Sequence, residues 1–336
     1  MQQFPVSLVD IEYYLPEQVI HNSYFSDLFP DWKVDKTAMR TGVLSRHIAR
    51  PDETAYDLAL VAAKRLLEKN PRLYEKIDGI IFCTQSPDYV MPSNAFLLQR
   101  DLGLKKNILA FDFNLACSGF IYGLVMASSF IRSGIAKNLL LITADTYSKY
   151  LAEEDRSTRM LFGDGAAVSW IGQTDDYDTE PLISSFGNFL LSSDGSGWDQ
   201  FFIRSGASRQ PSSCRDEIDY NDKIAMNGFR VLNFVNDRVI KQVFELLTNN
   251  RLIPGEIDQF FFHQASSLAL GALQKKLNIK DQQMFSNLPT IGNTVSASVP
   301  ILIKDYFSAN TLPKGSRLLL CGFGVGYSWG SMLATK

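Results

Sequence analysis

A chain of 336 residues with 46% hydrophobic content can bury a large core, and its length reads as two domains or one large duplicated one. Its formal net charge of -3, with 21% charged residues evenly mixed, argues against a nucleic-acid or anionic-membrane surface as its main business. No stretch stays apolar for about 18 residues, and residues 1–11 lack a basic segment followed by an apolar run. The expectation is a cytoplasmic protein without a membrane span. Cys83, Cys117, Cys214 and Cys321 are widely spaced with no CxxC pair, which predicts reduced thiols and neither a metal site nor a disulfide framework.

In chain order, residues 6–11 read as a strand and 22–29 as a short helix after an Asn-Ser cap. Arg40 to Val43, with Arg46 and His47, form a basic loop turned by Gly42. Residues 54–69 have the two faces of an amphipathic helix. Strands are predicted over 77–84, 107–113 and 138–144, the second of them buried, and helices over 94–102 and 120–132. This alternation implies a mostly parallel sheet covered on both faces. Residues 173–222 are rich in Asp, Ser and Gly and read as a domain connection with surface loops.

Cys117 falls where a predicted strand gives way to a predicted helix. Free N–H groups and the helix dipole at such a place stabilise a thiolate and lower the cysteine's pKa. Two readings stand for it, a nucleophile and a buried structural cysteine in a small-residue turn.

The second half echoes the first. Ile77 to Cys83 resembles Ile257 to His263 at an offset of 180 (257 minus 77), and Leu139 to Leu141 resembles Leu318 to Leu320 at 179 (318 minus 139). The halves therefore share a topology, and the helix opened by Cys117 has its counterpart near Ser296. His263 follows Phe260 to Phe262 at the C-terminal end of a predicted strand, where α/β sheets build their sites. The alternative for it is a core histidine bonded to a backbone carbonyl. Asn293 sits in Gly292-Asn293-Thr294, either as a third polar group or as a turn former. His21 and His47 lie in polar segments and are weaker candidates.

Gly322-x-Gly324-x-Gly326 looks superficially like a dinucleotide loop, but 327–333 reads as another strand and not the required helix. Gly163-Asp164-Gly165 likewise reads as a turn approaching the core.

Taken in order, Asn114 to Phe120, Phe162-Gly163-Asp164-Gly165-Ala166-Ala167, Met226-Asn227-Gly228, His263-Gln264-Ala265, Gly292-Asn293-Thr294 and Gly326-Tyr327-Ser328-Trp329-Gly330 resemble the beta-ketoacyl-acyl carrier protein synthase III family of thiolase-like ketosynthases. The resemblance implies an α/β duplicated thiolase fold, five layers α-β-α-β-α with two mostly parallel mixed sheets. Its halves would be residues 1–175, carrying the nucleophile, and 176–336, carrying His and Asn. It also implies a homodimer and a Cys117-His263-Asn293 triad.

In that reading Cys117 takes the acyl group from acyl-CoA, malonyl-acyl carrier protein enters and loses CO2, and His263 and Asn293 hold the enolate oxygen. Backbone N–H groups of Cys117 and Val325 would hold the later oxyanion. Coenzyme A is then a substrate, and no cofactor or metal is implied. Trp32, Arg40 and Arg156 map to the family's CoA contacts, with extra residues over 33–38. Met91 stands where a side chain caps the acyl pocket across the dimer; methionine is flexible, which suits a different or longer acyl group. Ser266 and Leu268 replace an Asn and a carrier-docking Arg, while Lys275 and Lys276 keep part of the basic patch. Those changes motivate two alternatives, acyl transfer to an oxygen or nitrogen acceptor without decarboxylation, and a non-catalytic subunit of a heterodimer.

Overall fold

The computed structural model describes residues 5–173, 179–211, 222–324 and 326–336. The first half runs β1 (Val6–Tyr14), β2 (Val19–His21), α1 (Asn22–Leu28), α2 (Val34–Thr41), β3 (Ser45–His47), α3 (Ala55–Lys69), β4 (Gly79–Cys83), α4 (Asn94–Asp101), β5 (Leu109–Phe113), α5 (Gly119–Arg132), β6 (Asn138–Asp145) and β7 (Gly165–Gln173). The second runs β8 (Ser185–Ser193), β9 (Phe201–Ile203), β10 (Ile224–Met226), α6 (Gly228–Phe234), α7 (Ile240–Asn249), β11 (Gln259–Phe262), α8 (Ser267–Leu277), α9 (Leu288–Ile291), α10 (Ser298–Ala309), β12 (Arg317–Gly324) and β13 (Ser328–Thr335). Among the described residues, no helix is long and apolar enough to cross a membrane.

Five strands form one sheet in the order β1-β7-β6-β4-β5, and four form another in the order β11-β12-β13-β8. β6 is buried at every position, and its alternating side chains serve two cores. Leu139 and Leu141 face α5, while Leu140, Ile142 and Ala144 face α3. Between the sheets lie α5 and α10, whose Phe120, Ile121, Leu124, Val299 and Leu302 pack with Leu318 and Leu320 of β12. Each such fully buried side chain contributes about 1.5–3 kcal/mol of transfer free energy. With α3 and α4 outside the first sheet and α7 and α8 outside the second, five layers result.

The expected duplication is present. β4, α5 and β6 of the first half correspond to β11, α10 and β12 of the second. Both sheets are mixed, but parallel pairing is confined to the β5-β4-β6 and β11-β12 sides. The remaining ladders are antiparallel, so "mostly parallel" overstates the order. The antiparallel strands β7 and β13 are as apolar as their parallel neighbours because helices cover both faces.

Three further expectations change. β5 is half-buried rather than buried, because it is the sheet edge. The segment read as loops contains β8, an edge strand paired only with β13, whose partly exposed pattern carries little periodic signal. Asn22 lies inside α1 rather than capping it; His21 is the cap residue, and the Asn22 side chain donates to Val43 O (2.8 Å) and accepts from Arg46 (2.6 Å). By contrast Thr54 caps α3 in a reciprocal box with Asp57.

β12 packs against the turn that carries Cys117. A Cβ at Gly322 would lie 2.6 Å from Cys117 O, so Gly322→Ala must push the strand from the turn. Chemical denaturation should show Gly322→Ala less stable by about 1–3 kcal/mol, the usual cost of overpacking.

Candidate active site

Cys117 lies in the short turn between β5 and α5, two residues before the helix begins, and is 4% exposed. The turn is held by Gly119 N–H donating to Ala116 O (2.7 Å) and by a Ser118–Ser328 hydroxyl bond (2.7 Å) to β13. A Cβ at Gly324 would come within 3.1 Å of the Cys117 sulfur. The glycines that imitated a dinucleotide loop therefore clear space for this turn, and β13 follows them as the sequence predicted.

The electrostatics correct the thiolate argument. Burial, followed by the charge of Asp145, pushes the Cys117 thiol well above its ordinary 9.0, and its own backbone N–H only partly opposes this. Desolvation thus works against the helix end, which favours the thiolate. At neutral pH the thiol is protonated.

His263 directly follows β11. Its N–H donates to Cys321 O (2.8 Å), extending the parallel ladder that pairs Phe262 with Cys321. The imidazole stands edge-on to Phe323, ring centroids 5.5 Å apart, between the two glycines beside Cys117. Among the described residues its Nδ1 has no hydrogen-bond partner. Burial lowers its pKa to about 3, and the ring is neutral at any ordinary working pH. Gln264 fixes the next residue, donating its N–H to Ser298 Oγ (2.9 Å) and its amide to Phe262 O (2.9 Å) while accepting from Ser286 Oγ (2.6 Å).

Asn293 is clamped by its backbone, donating to Leu161 O (2.9 Å) and accepting from Gly163 N (3.0 Å). This is why Phe162-Gly163 approaches so closely; a Cβ at Gly163 would meet Ile291 O at 2.7 Å. The Asn293 Oδ1 accepts from Val295 N (2.9 Å), and Nδ2 faces Ala265 O at 3.5 Å, two residues beyond His263. Val295 has φ 54°, a left-handed conformation that costs a β-branched residue roughly 1–2 kcal/mol. The amide is thus oriented by Val295 N on its oxygen and Ala265 O on one N–H, which leaves the second N–H as a donor.

Asp145 escaped sequence reasoning, although an acid ending a wholly apolar strand was a usable signal. Fully buried, it accepts from Ser296 Oγ, Ser296 N (3.3 Å) and Gln85 N (2.8 Å), and burial pushes its pKa up to about 7. It ties β6 to Ser296, the counterpart of Cys117. Asp164 is held similarly by Ser148 and Ala49 N (2.8 Å), its pKa raised by burial to about 6.

Trp32 packs edge-on against Phe29 (6.0 Å), and the Arg156 guanidinium lies over the same ring (4.8 Å), so these two candidates form one cluster. Arg40 is exposed in the last turn of α2, and its carbonyl accepts from Ser267 Oγ (2.9 Å) at the start of α8. The extra residues over 33–38 build the first turns of α2. Met91 is 80% exposed and caps nothing within its own chain. Val325 lies outside the described residues.

Comparison with known proteins accords with this arrangement. Residues 111–195 match the family profile for 3-oxoacyl-[acyl-carrier-protein] synthase III, and 247–336 match its C-terminal profile. The chain is 35% identical to beta-ketoacyl-[acyl-carrier-protein] synthase III of Caldanaerobacter subterraneus over 95% of this chain and 94% of that protein. Against the same enzyme of Campylobacter curvus it is 35% identical over 97% and 96%. A crystal structure of a 3-oxoacyl-(acyl-carrier-protein) synthase III superposes with TM-score 0.91 at 38% identity, covering 99% of this chain and all 100% of that one. The Burkholderia xenovorans 3-oxoacyl-(acyl-carrier protein) synthase superposes with TM-score 0.87 at 31% identity, covering 99% and 94%.

A buried, protonated thiol has a testable pH signature. Iodoacetamide alkylation of Cys117, followed by peptide mass, should keep accelerating through pH 9; a plateau near neutrality would contradict the raised pKa.

Proposed function

The chain belongs to the beta-ketoacyl-acyl carrier protein synthase III family, and from that premise we propose that Cys117, His263 and Asn293 carry out the family's reaction. That reaction is the condensation of an acyl group from acyl-CoA with malonyl-acyl carrier protein. The supporting observation is convergence. Cys117 lies against the glycines of β12, His263 packs on Phe323 between them, and Asn293 faces the residue two beyond His263.

In the first half-reaction the Cys117 sulfur attacks the thioester carbonyl, the carbon–sulfur bond to CoA breaks, and the thiol proton leaves with the CoA sulfur. Malonyl-acyl carrier protein then loses CO2, and the bonding pair becomes an enolate. A neutral imidazole N–H and the Asn293 Nδ2–H can both donate to its oxygen, in a buried site where such bonds are strong. The carbanion attacks the acyl-Cys117 carbonyl, the carbon–sulfur bond breaks with its electron pair on sulfur, and the thiolate takes a proton from solvent to restore the cysteine. Coenzyme A enters as substrate, and the steps call on no metal or prosthetic group. Trp32 and Arg156, gathered on Phe29, with Arg40 at the start of α8, are the residues proposed to hold it.

A homodimer fits the same reading. β5 leaves one ladder edge unpaired and presents half-buried Leu109, Phe111 and Phe113, near exposed Val90, Met91 and Phe96. A second copy adding its β5 would cover that edge and bring Met91 to the partner's site.

Intact mass after mixing with acyl-CoA should show one acyl group on the wild type and none on Cys117→Ala. Replacing His263 or Asn293 by Ala should leave acylation measurable but cut CO2 release from malonyl-acyl carrier protein by about 10²–10³-fold, the usual worth of an oxyanion donor. Equal loss of both half-reactions would refute the division of labour. Phe111→Glu should convert the dimer to a monomer in light scattering.

A further inference from the structure

Outside this site, residues of β2, α1, the segment from β3 to Pro51 and the segment 148–159 enclose a cleft of about 310 Å3. Its walls include none of the triad and none of the proposed CoA residues. Apolar Ile20, Phe25, Ile48 and Leu151 line it, together with four cations, Arg46, Arg50, Lys149 and Arg159, and no Asp or Glu.

Arg46 is the unusual member, a fully buried guanidinium. It donates to Ile20 O (2.9 Å), Asn22 Oδ1 (2.6 Å) and Met160 O (3.0 Å), all neutral acceptors, and among the described residues its Nε has no partner. Its guanidinium lies 5.2 Å from the Phe25 ring centroid, and that of Arg159 lies 5.5 Å from the same ring. Lys149 donates to Pro51 O (2.8 Å) and Arg159 to Glu153 O (2.5 Å), again neutral oxygens. Among the described residues, Arg46, Lys149 and Arg159 make no ion pair. Arg50 differs, since Asp52 stands 3.5 Å from it. Asp164 lies behind Ser148, its oxygens occupied by Ser148 and Ala49.

A buried cation with neutral partners only is costly, and like charges gathered round a concave surface raise the local concentration of anions. Guanidinium groups favour planar carboxylate and phosphate heads, while the apolar wall suits a compact hydrocarbon body. We propose that this cleft binds a small organic anion, a phosphate monoester or carboxylate on a short apolar body, at a site separate from the acyl-transfer centre.

Calorimetric titration of the full chain with phenyl phosphate, benzoate and inorganic phosphate tests this. Saturable binding of one phenyl phosphate per chain is expected, tighter than inorganic phosphate and weakened by added salt. Benzoate compared with phenyl phosphate identifies which head is preferred. Arg159→Gln and Lys149→Gln should each weaken binding roughly 10-fold, as loss of a charge-assisted bond predicts, with Cys117 acylation unchanged. No saturable binding, salt-independent binding by the wild type, or wild-type affinity in both variants would overturn the proposal. Displacement of phenyl phosphate by CoA would also overturn it, because the cleft would then be part of the CoA site.

Discussion

The contact of β12 with the Cys117 turn joins the two halves at the site. α5 and α10 lie back to back between the sheets, so the strand ends that precede them open at one level. Gly322 and Gly324 let β12 come within van der Waals reach of the turn, and Phe323 between them supports His263. Any side chain at those glycines would separate nucleophile and imidazole together. One strand of the second half thus sets the position of a residue of the first.

Around that contact the site is buried and carries little charge. The thiol is held protonated, the imidazole is neutral with its pKa lowered to about 3, and the third group is an amide. Such a site suits a reaction that passes through an enolate and a tetrahedral oxyanion, since donors already oriented in a low-dielectric pocket need no reorganisation. Asp145 is the exception, a carboxyl buried near Cys117 whose pKa of about 7 places it between protonation states near neutrality. Its bonds to Ser296 and Gln85 brace the start of α10 against β6, and its charge disfavours a resting thiolate.

Much of this was legible in the chain. Apolar runs marked β6 and β12, the constant offset near 180 exposed the duplication, strand ends singled out Cys117 and His263 as candidates, and Asn293 joined them through its turn and the family resemblance. What escaped depends on surroundings rather than pattern. The pKa of Cys117 follows from burial and a carboxyl 28 residues further along the chain at Asp145, which no local reading weighs. β8 and β5 are edge strands, and an edge leaves only a weak alternation; Asn22 is a good cap residue diverted to a buried arginine.

The departures on α8 can be read in the same terms. Ser266 accepts from Ala269 N (3.2 Å) and caps the helix, a structural duty. Ser267 binds the carbonyls of Met39 and Arg40, fastening the enlarged α2 to the helix that starts beside His263. Leu268 is 48% exposed on the helix that carries Lys275 and Lys276 in its last turn. A partner meeting that face would find two flexible ammonium groups and an apolar side chain, a set that favours general charge attraction and apolar contact over directed bidentate bonding.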